Sequence, residues 1–262
     1  MLTRLTRPRT LALCALPVLA LFGTAAFAPL PFTLAQPGTT ANVLGNDQGK
    51  PVITIKGAPT LPTDGKLLMT TIIATGPTAD VRVGDVVDSW FRTDRAVMPR
   101  DSVYPTGGSE KEIEQHNLQD MEKSQNVAVE AALDYLGKDP GSVDVTLHLA
   151  DVGGPSAGLF FSLGIIDKLA GDGSGGGLTG GRTVAGTGTI EADGAVGAVG
   201  GVSLKTQAAR RDGATVFLVP KAECKQAEAE RPEGLRLIPV TTLKGAVSSL
   251  KALERGSKVP SC

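Results

Sequence analysis

The sequence is poor in histidine, cysteine and aromatic residues, and it carries almost no net charge. Its 262 residues include two histidines, three cysteines and one tryptophan, with a formal net charge of −1. Because the histidines and cysteines form no cluster at metal-ligand spacing, no zinc site is expected. The near-zero charge argues against nucleic acid as a main partner, since phosphate binding needs a basic surface. The sequence also lacks a P-loop pattern, so we expect no ATP-driven motor and no cofactor.

The shortage of histidine bears on catalysis, because a Ser/His/Asp site is difficult to assemble from His116 and His148 alone. A catalytic serine would then need a different base. Ser156 stands in the pentapeptide Gly154-Pro155-Ser156-Ala157-Gly158, between a predicted strand and a predicted apolar helix. Lys205 stands in another predicted helix, behind a glycine turn. A buried, neutral lysine amine can take the proton of a serine hydroxyl, so the pair predicts a serine–lysine peptidase if the fold brings the two together.

The chain is expected to form one mixed α/β domain with an N-terminal extension. Strand and helix patterns alternate along it, and one antiparallel hairpin is included, which predicts layers of helices on a sheet. The predicted segments are a signal anchor or signal peptide (1–35), a Gly/Thr/Asn-rich linker (36–50), a β-rich extension (51–108), a peptidase domain (109–253) and a C-terminal tail (254–262).

The N-terminus predicts where the domain works. Arg4, Arg7 and Arg9 precede a run from Leu11 to Ala35 that contains no charged residue. A basic flank before an apolar run of this length predicts a single membrane anchor, with the rest of the chain exported. Ala26-Phe27-Ala28 offers a signal-peptidase site, so secretion after cleavage is the alternative. Either topology places the domain outside the cytoplasm.

The cysteines leave one question open. Cys14 lies inside the apolar run, whereas Cys224 and Cys262 lie near the C-terminal end. Outside the cytoplasm, these two could form a disulfide that ties the tail to the preceding helix. Two unpaired thiols are the other interpretation.

Three motifs occur in a characteristic order. The chain contains Gly153-Gly154-Pro155-Ser156-Ala157-Gly158, then Thr187-Gly188, then Gly200-Gly201-Val202-Ser203-Leu204-Lys205. Together they resemble the nucleophile motif, the threonine–glycine step and the lysine helix of the proteolytic domain of the Lon family. The resemblance covers roughly residues 65–253, and it is closest to a bacterial branch of membrane-anchored Lon-like proteases that lack an ATPase.

This resemblance implies a Lon proteolytic-domain-like fold, polypeptide substrates and no metal or cofactor. It implies that Ser156 is the nucleophile and Lys205 the base. Thr187 could hold the lysine amine, and backbone N–H groups near Gly153 and Gly154 could bind the oxyanion. Lon-like domains often form rings, so a homo-oligomer is also implied.

Two features depart from the family pattern. No PDZ domain separates the long predicted helix from the strand before Ser156. Gly153 stands where an acidic residue is usual, and Asp151 lies two positions further back.

Alternatives remain for the site and for the function. Ser156 could simply cap a helix, Thr187 could be an ordinary strand residue, and His148 could be a boundary histidine. The whole domain could be a catalytically silent binding module at the membrane. It could also be an amidase or acyltransferase that uses the same two residues.

Overall fold

The computed structural model describes residues 7–104, 109–149 and 152–262, so Arg4 and Asp151 lie outside the described residues. The helices are α1 (Arg7–Phe27), α2 (Val83–Trp90), α3 (Arg100–Val103), α4 (Glu110–Tyr135), α5 (Gly158–Ala170), α6 (Val202–Arg211), α7 (Cys224–Ala229) and α8 (Leu243–Glu254). The strands are β1 (Phe32–Asn42), β2 (Asn46–Asp47), β3 (Lys50–Pro51), β4 (Ile53–Lys56), β5 (Lys66–Ala74), β6 (Ala96–Pro99), β7 (Asp144–Leu147), β8 (Thr183–Gly186), β9 (Thr189–Ile190), β10 (Val196–Gly197), β11 (Val216–Pro220) and β12 (Arg236–Val240).

A six-stranded mixed sheet forms the centre of the molecule, in the order β12-β11-β8-β5-β1-β6. The four strands from β12 to β5 run parallel, and β1 pairs antiparallel with both β5 and β6. Successive side chains of a strand point to opposite faces of the sheet. In β11, Leu218 therefore packs into one core, and Phe217 and Val219 pack into the other. The predicted mixed α/β class is confirmed.

Helices cover both faces of this sheet. α5 lies in the larger core, where every residue from Gly158 to Asp167 is buried, and α4 packs on it through Ala128, Ala131 and Ala132. A helix that is apolar on all sides needs protein around it in this way. α6 contributes Val202 and Ala209 to the smaller core on the opposite face. The predicted nucleophile and the predicted base are thus carried by helices on opposite faces of one sheet.

The predicted linker is wrong for residues 36–42, which belong to β1. Their partners lie in β5, from Ala35 opposite Ala74 to Asn42 opposite Leu68, with one register shift between Pro37 and Thr40. Threonine is favoured in strands, and pairing with a neighbouring strand outweighs the turn preference of Gly and Asn. Strands of the predicted extension and of the predicted peptidase domain therefore share one sheet.

The predicted N-terminal anchor is not one continuous helix. α1 ends at Phe27, Leu30 forms a β-bridge with Val81, and Phe32 already begins β1. Pro29 and Pro31 fall in the break, as expected for residues that cannot donate a helical hydrogen bond. In the part of the chain that the structure describes, no helix has the length and apolar character needed to cross a membrane.

A disulfide joins Cys224 to Cys262, with the two Cα atoms 5.4 Å apart. Both cysteines border the smaller core, next to α6 and α7. Cys14 is an exposed free thiol on α1. The structure therefore selects the bridged arrangement of the two C-terminal cysteines and ties the chain end to the first turn of α7.

Candidate active site

Ser156 lies in a tight turn that leads directly into α5. The turn is a single 3₁₀ segment, Pro155–Ala157, and the Ser156 side chain is half-buried. Gly154 precedes it with φ 88°, in the region that favours glycine, and Pro155 occupies the first position of the turn. The first N–H groups of a helical segment have no partner inside it, so this turn presents donors beside the serine.

The turn is fixed on α4 at two points. The Gly154 N–H donates to the carbonyl of Asn117 at 3.0 Å, and the Ser124 hydroxyl donates to the carbonyl of Pro155 at 3.0 Å. Gly153 also packs closely here, since a Cβ on it would lie 2.7 Å from the Cβ of Asn117. Gly153 and Gly154, which were predicted to support the oxyanion, thus fix the turn against α4.

Thr187 links this turn to the lysine helix. Its hydroxyl donates to the backbone carbonyl of Ser156 at 3.2 Å and accepts from Nζ of Lys205 at 3.0 Å. The Gly188 N–H donates to the same Ser156 carbonyl at 3.0 Å. The chain around Thr187 is divided into two strands, β8 and β9. Thr187 and Gly188 occupy the gap, which frees both for these contacts.

Lys205 is almost completely shielded from water, with 3% of its surface exposed. α6 begins after Gly201, which has φ 68°, and its inward face carries the lysine towards Thr187. Burial disfavours the charged amine and lowers the pKa of Lys205 to about 8, although the Glu223 carboxylate acts to raise it. An amine in this state can accept a proton near neutral pH.

Of the other polar residues considered from the sequence, the structure describes His148 but not Asp151. His148 follows β7, where its backbone N–H donates to the carbonyl of Val52 at 2.8 Å. Within the described ranges, no group of three or more His, Cys, Asp or Glu side chains is arranged to hold a metal ion. The residues brought together are Ser156, Thr187 and Lys205, with Gly153 and Gly154 on the turn.

A comparison with protein families decides the relationship. The model of the Lon protease (S16) C-terminal proteolytic domain matches residues 120–250, which is half of the chain. The chain belongs to this family. The resemblance predicted from the three motifs is confirmed, and all three residues brought together lie in the matched range. Membership supports a serine-type peptidase.

A curated relative agrees with this assignment. Lon protease 2 of Bacillus subtilis (strain 168) is 30% identical over 136 residues, which are 50% of this chain and 23% of that protein. The chain therefore matches less than a quarter of the length of this relative. The likeness covers half of this chain and carries nothing about the remainder of the relative.

An open groove lies beside the turn that contains Ser156 in this Lon domain. It has a volume of about 620 Å³, and its lining includes Ile113, Asn117 and Leu118 of α4 together with Val152 and Gly153. A smaller groove of about 260 Å³ is lined by Pro155 together with residues of α4 and β9. The sequence identified no substrate-binding residue, and these two grooves at the turn are candidate surfaces for an extended chain.

Sequence reasoning also missed Glu223 in this Lon domain. It ends the 3₁₀ turn Lys221–Glu223 that follows β11. Burial raises the pKa of Glu223, while its own backbone N–H and the charge of Lys205 lower it. The available signal was its position just past the carboxyl end of a buried parallel strand, where functional groups collect in α/β sheets.

Proposed function

We propose that this chain is an ATP-independent serine endopeptidase that hydrolyses peptide bonds with a Ser156–Lys205 dyad. The observation that carries the proposal is the Thr187 hydroxyl, which contacts Lys205 Nζ and the Ser156 carbonyl at once. This contact holds a buried amine of lowered pKa next to the residue that would act as nucleophile. A serine becomes a useful nucleophile only when such a base is within reach.

The proposed reaction has two halves. Neutral Lys205 takes the proton of the Ser156 hydroxyl as Oγ attacks the substrate carbonyl, and the resulting ammonium then protonates the leaving amine. Collapse of the tetrahedral intermediate breaks the peptide C–N bond and leaves an ester on Ser156. In the second half, Lys205 takes a proton from water, the hydroxide equivalent attacks the ester, and Ser156 Oγ leaves with a proton from Lys205.

The oxyanion donors follow from the hydrogen bonds of the turn. The Gly154 N–H is already bonded to Asn117, and Pro155 has no N–H to offer. Backbone donors at Gly153 and Ser156 are therefore the proposed pair, of which the Ser156 N–H lies in the first turn of the helical segment. Such donors stabilise negative charge as it develops on the substrate oxygen.

The pH dependence of cleavage tests the role of Lys205. Because the amine must be neutral to accept a proton, kcat/KM on a fluorogenic peptide should rise about tenfold per pH unit in the acidic range and level off near the lysine pKa of about 8. Initial rates should be measured from pH 5 to 10 on the full chain. A flat profile across pH 6 to 9 would count against a lysine base.

We further propose that the domain works outside the cytoplasm, close to a membrane. The disulfide between Cys224 and Cys262 is typical of an oxidising compartment. The described part of α1 exposes large apolar side chains on several sides, including Leu19 at 66% and Phe22 at 69%. Such a helix is usually surrounded by a nonpolar medium. This proposal retains cleavage after Ala28 as the alternative.

Two measurements on cells separate these topologies. Protease added to intact protoplasts should degrade the domain, and the protein should stay with the membrane after a high-salt wash. Protection from the protease would contradict the orientation. A soluble product whose N-terminus lies just after Ala28 would show a cleaved signal peptide instead.

A homo-oligomer stays a prediction, which sedimentation of the full chain in detergent can test.

A further inference from the structure

We propose that Glu223 is a third member of the site, a positioning residue that acts through Lys205 and stabilises its ammonium form during catalysis. This inference rests on the proposed function, since it assigns a partner to the proposed base. In serine peptidases with a histidine base, a buried carboxylate orients the base and stabilises the cation that forms. A lysine that takes the serine proton has the same requirement for a counter-charge.

The fold brings the chain segment of Glu223 towards the site. β8 and β11 are parallel neighbours, with Leu218 of β11 opposite Gly186 of β8. The Thr187 N–H then donates to the carbonyl of Leu218 at 3.2 Å. The carboxyl ends of the two strands therefore lie side by side. One leads to Thr187, which binds the lysine amine, and the other leads through Pro220 to Glu223.

One oxygen of the Glu223 carboxylate lacks a hydrogen-bond partner. This atom, Oε2, is shielded from solvent and has no partner among the described residues. A buried acceptor without a partner destabilises the folded state, and more so when it is charged, so its retention needs a reason. A lysine ammonium that forms only in the reaction would supply that reason.

Glu223 is also the charged group that acts on Lys205. Each of the two influences the titration of the other. The strands packed around α6 bring no other buried charge close to Lys205. β1, β8 and β11 contain no charged residue, and Lys66 of β5 is exposed. Lys221 beside Glu223, and Lys225 and Glu228 of α7, are exposed as well. Lys205 is buried and Glu223 partly buried, whereas the charged side chains of these neighbouring elements lie at the surface.

The disulfide holds this carboxylate in position. Cys224 follows Glu223 directly and is bonded to Cys262 at the chain end. The backbone at Glu223 is thus fixed from one side by Pro220 of β11 and from the other by a covalent bridge. A charge that must meet a buried amine benefits from such support, because a misplaced carboxylate would leave both groups unpaired.

Glu223→Gln tests the inference, since it removes the charge and keeps the shape. With the attraction gone, the ammonium is less favoured, so the acidic limb of kcat/KM should move to lower pH by at least about half a unit. The plateau rate should fall about tenfold, because the cation formed in the transition state loses its counter-charge. Glu223→Asp should restore part of both effects, and Glu228→Gln on exposed α7 should change neither.

If Glu223 only stabilised the fold, its substitution would lower kcat/KM without shifting the acidic limb of the pH profile. An unchanged midpoint in Glu223→Gln, with the wild-type circular dichroism spectrum, therefore overturns the inference. If Glu223→Gln does not fold, the comparison of Glu223→Asp with wild type decides in the same way. Because the shorter aspartate side chain holds its carboxylate further from the Lys205 amine, the midpoint of the acidic limb should move to lower pH. An unchanged midpoint refutes the pairing.

A second readout separates this inference from the proposed function. The Lys205 amine can be titrated by NMR with labelled lysine in the Ser156→Ala background, where cleavage plays no part. A lower Lys205 midpoint after Glu223→Gln supports the pairing even if the wild-type chain cleaves no peptide. Equal midpoints with and without Glu223 refute the pairing even if the chain is an active peptidase.

Discussion

Ser156→Ala and Lys205→Met should each lower kcat/KM on a peptide substrate by at least about a thousandfold, while the thermal unfolding midpoint stays close to the wild-type value. Residues that act as one catalytic unit lose most of the rate when either is removed. The double variant should therefore be scarcely slower than either single variant. Cleavage of a fluorogenic peptide by purified full-length protein, with thermal unfolding followed by circular dichroism, measures both quantities.

Matched controls are a serine and a lysine that lie at the surface. Ser257→Ala changes an exposed serine, and Lys221→Met changes an exposed lysine on the turn after β11. Both should retain wild-type rates. Turnover close to wild type in purified Ser156→Ala or Lys205→Met would refute the dyad.

Covalent labelling extends the test to the other candidate functions. A serine-directed fluorophosphonate should modify Ser156 in the wild-type chain and fail to do so in Lys205→Met. A wild-type chain that resists the reagent would favour a silent binding module. Labelling without cleavage of any peptide in an unbiased library, but with turnover of small amides, would favour an amidase or acyltransferase.

Thr187→Val should lower kcat/KM by about a hundredfold, the lower end of what a positioned general base contributes. The substitution keeps the volume and branching of the side chain but removes the hydroxyl that contacts Lys205 Nζ and the Ser156 carbonyl. The loss should appear mainly in kcat, since no substrate contact is removed. A modest stability cost of about 1–3 kcal/mol is expected, because buried polar groups lose a partner.

The conservative variant distinguishes positioning from packing. Thr187→Ser keeps the hydroxyl and should recover most of the activity, while Thr183→Val, earlier in the same chain segment, should have little effect on the rate. Stability of each variant should be measured by urea unfolding. If Thr187→Val cleaves as fast as wild type, the hydroxyl does not hold the base.

The local patterns of the sequence were sufficient for most elements and for naming the three polar residues that meet in the fold. The glycine and proline residues around Ser156 predicted a turn before a buried helix, and α5 begins there. The apolar spacing of residues 202–209 predicted a helix with an inward face, which Lys205 shares. These predictions succeeded because turn chemistry and hydrophobic periodicity act over a few neighbouring residues.

Long-range pairing decided what local patterns could not. Residues 36–42 have the composition of a loop, yet they belong to β1 because β5 offers partners from Ile73, opposite Gln36, to Leu68, opposite Asn42. The separation of Thr187 from β8 likewise depends on its contacts with Ser156 and Leu218. A backbone hydrogen bond to a distant strand or turn leaves no trace in the composition of the segment that makes it.

By itself, the sequence determined which residues have the chemistry: a serine in a glycine turn, a lysine on an apolar helix face and a threonine after a strand. Only the tertiary structure decided that they meet, that the amine is buried enough to lower its pKa, and that the Glu223 carboxylate lies near enough to act on that pKa. It also decided that Cys224 and Cys262 are bridged. The physical reason is that desolvation and Coulomb interactions depend on distances through space, which the parallel pairing of β8 with β11 sets and the order of residues does not.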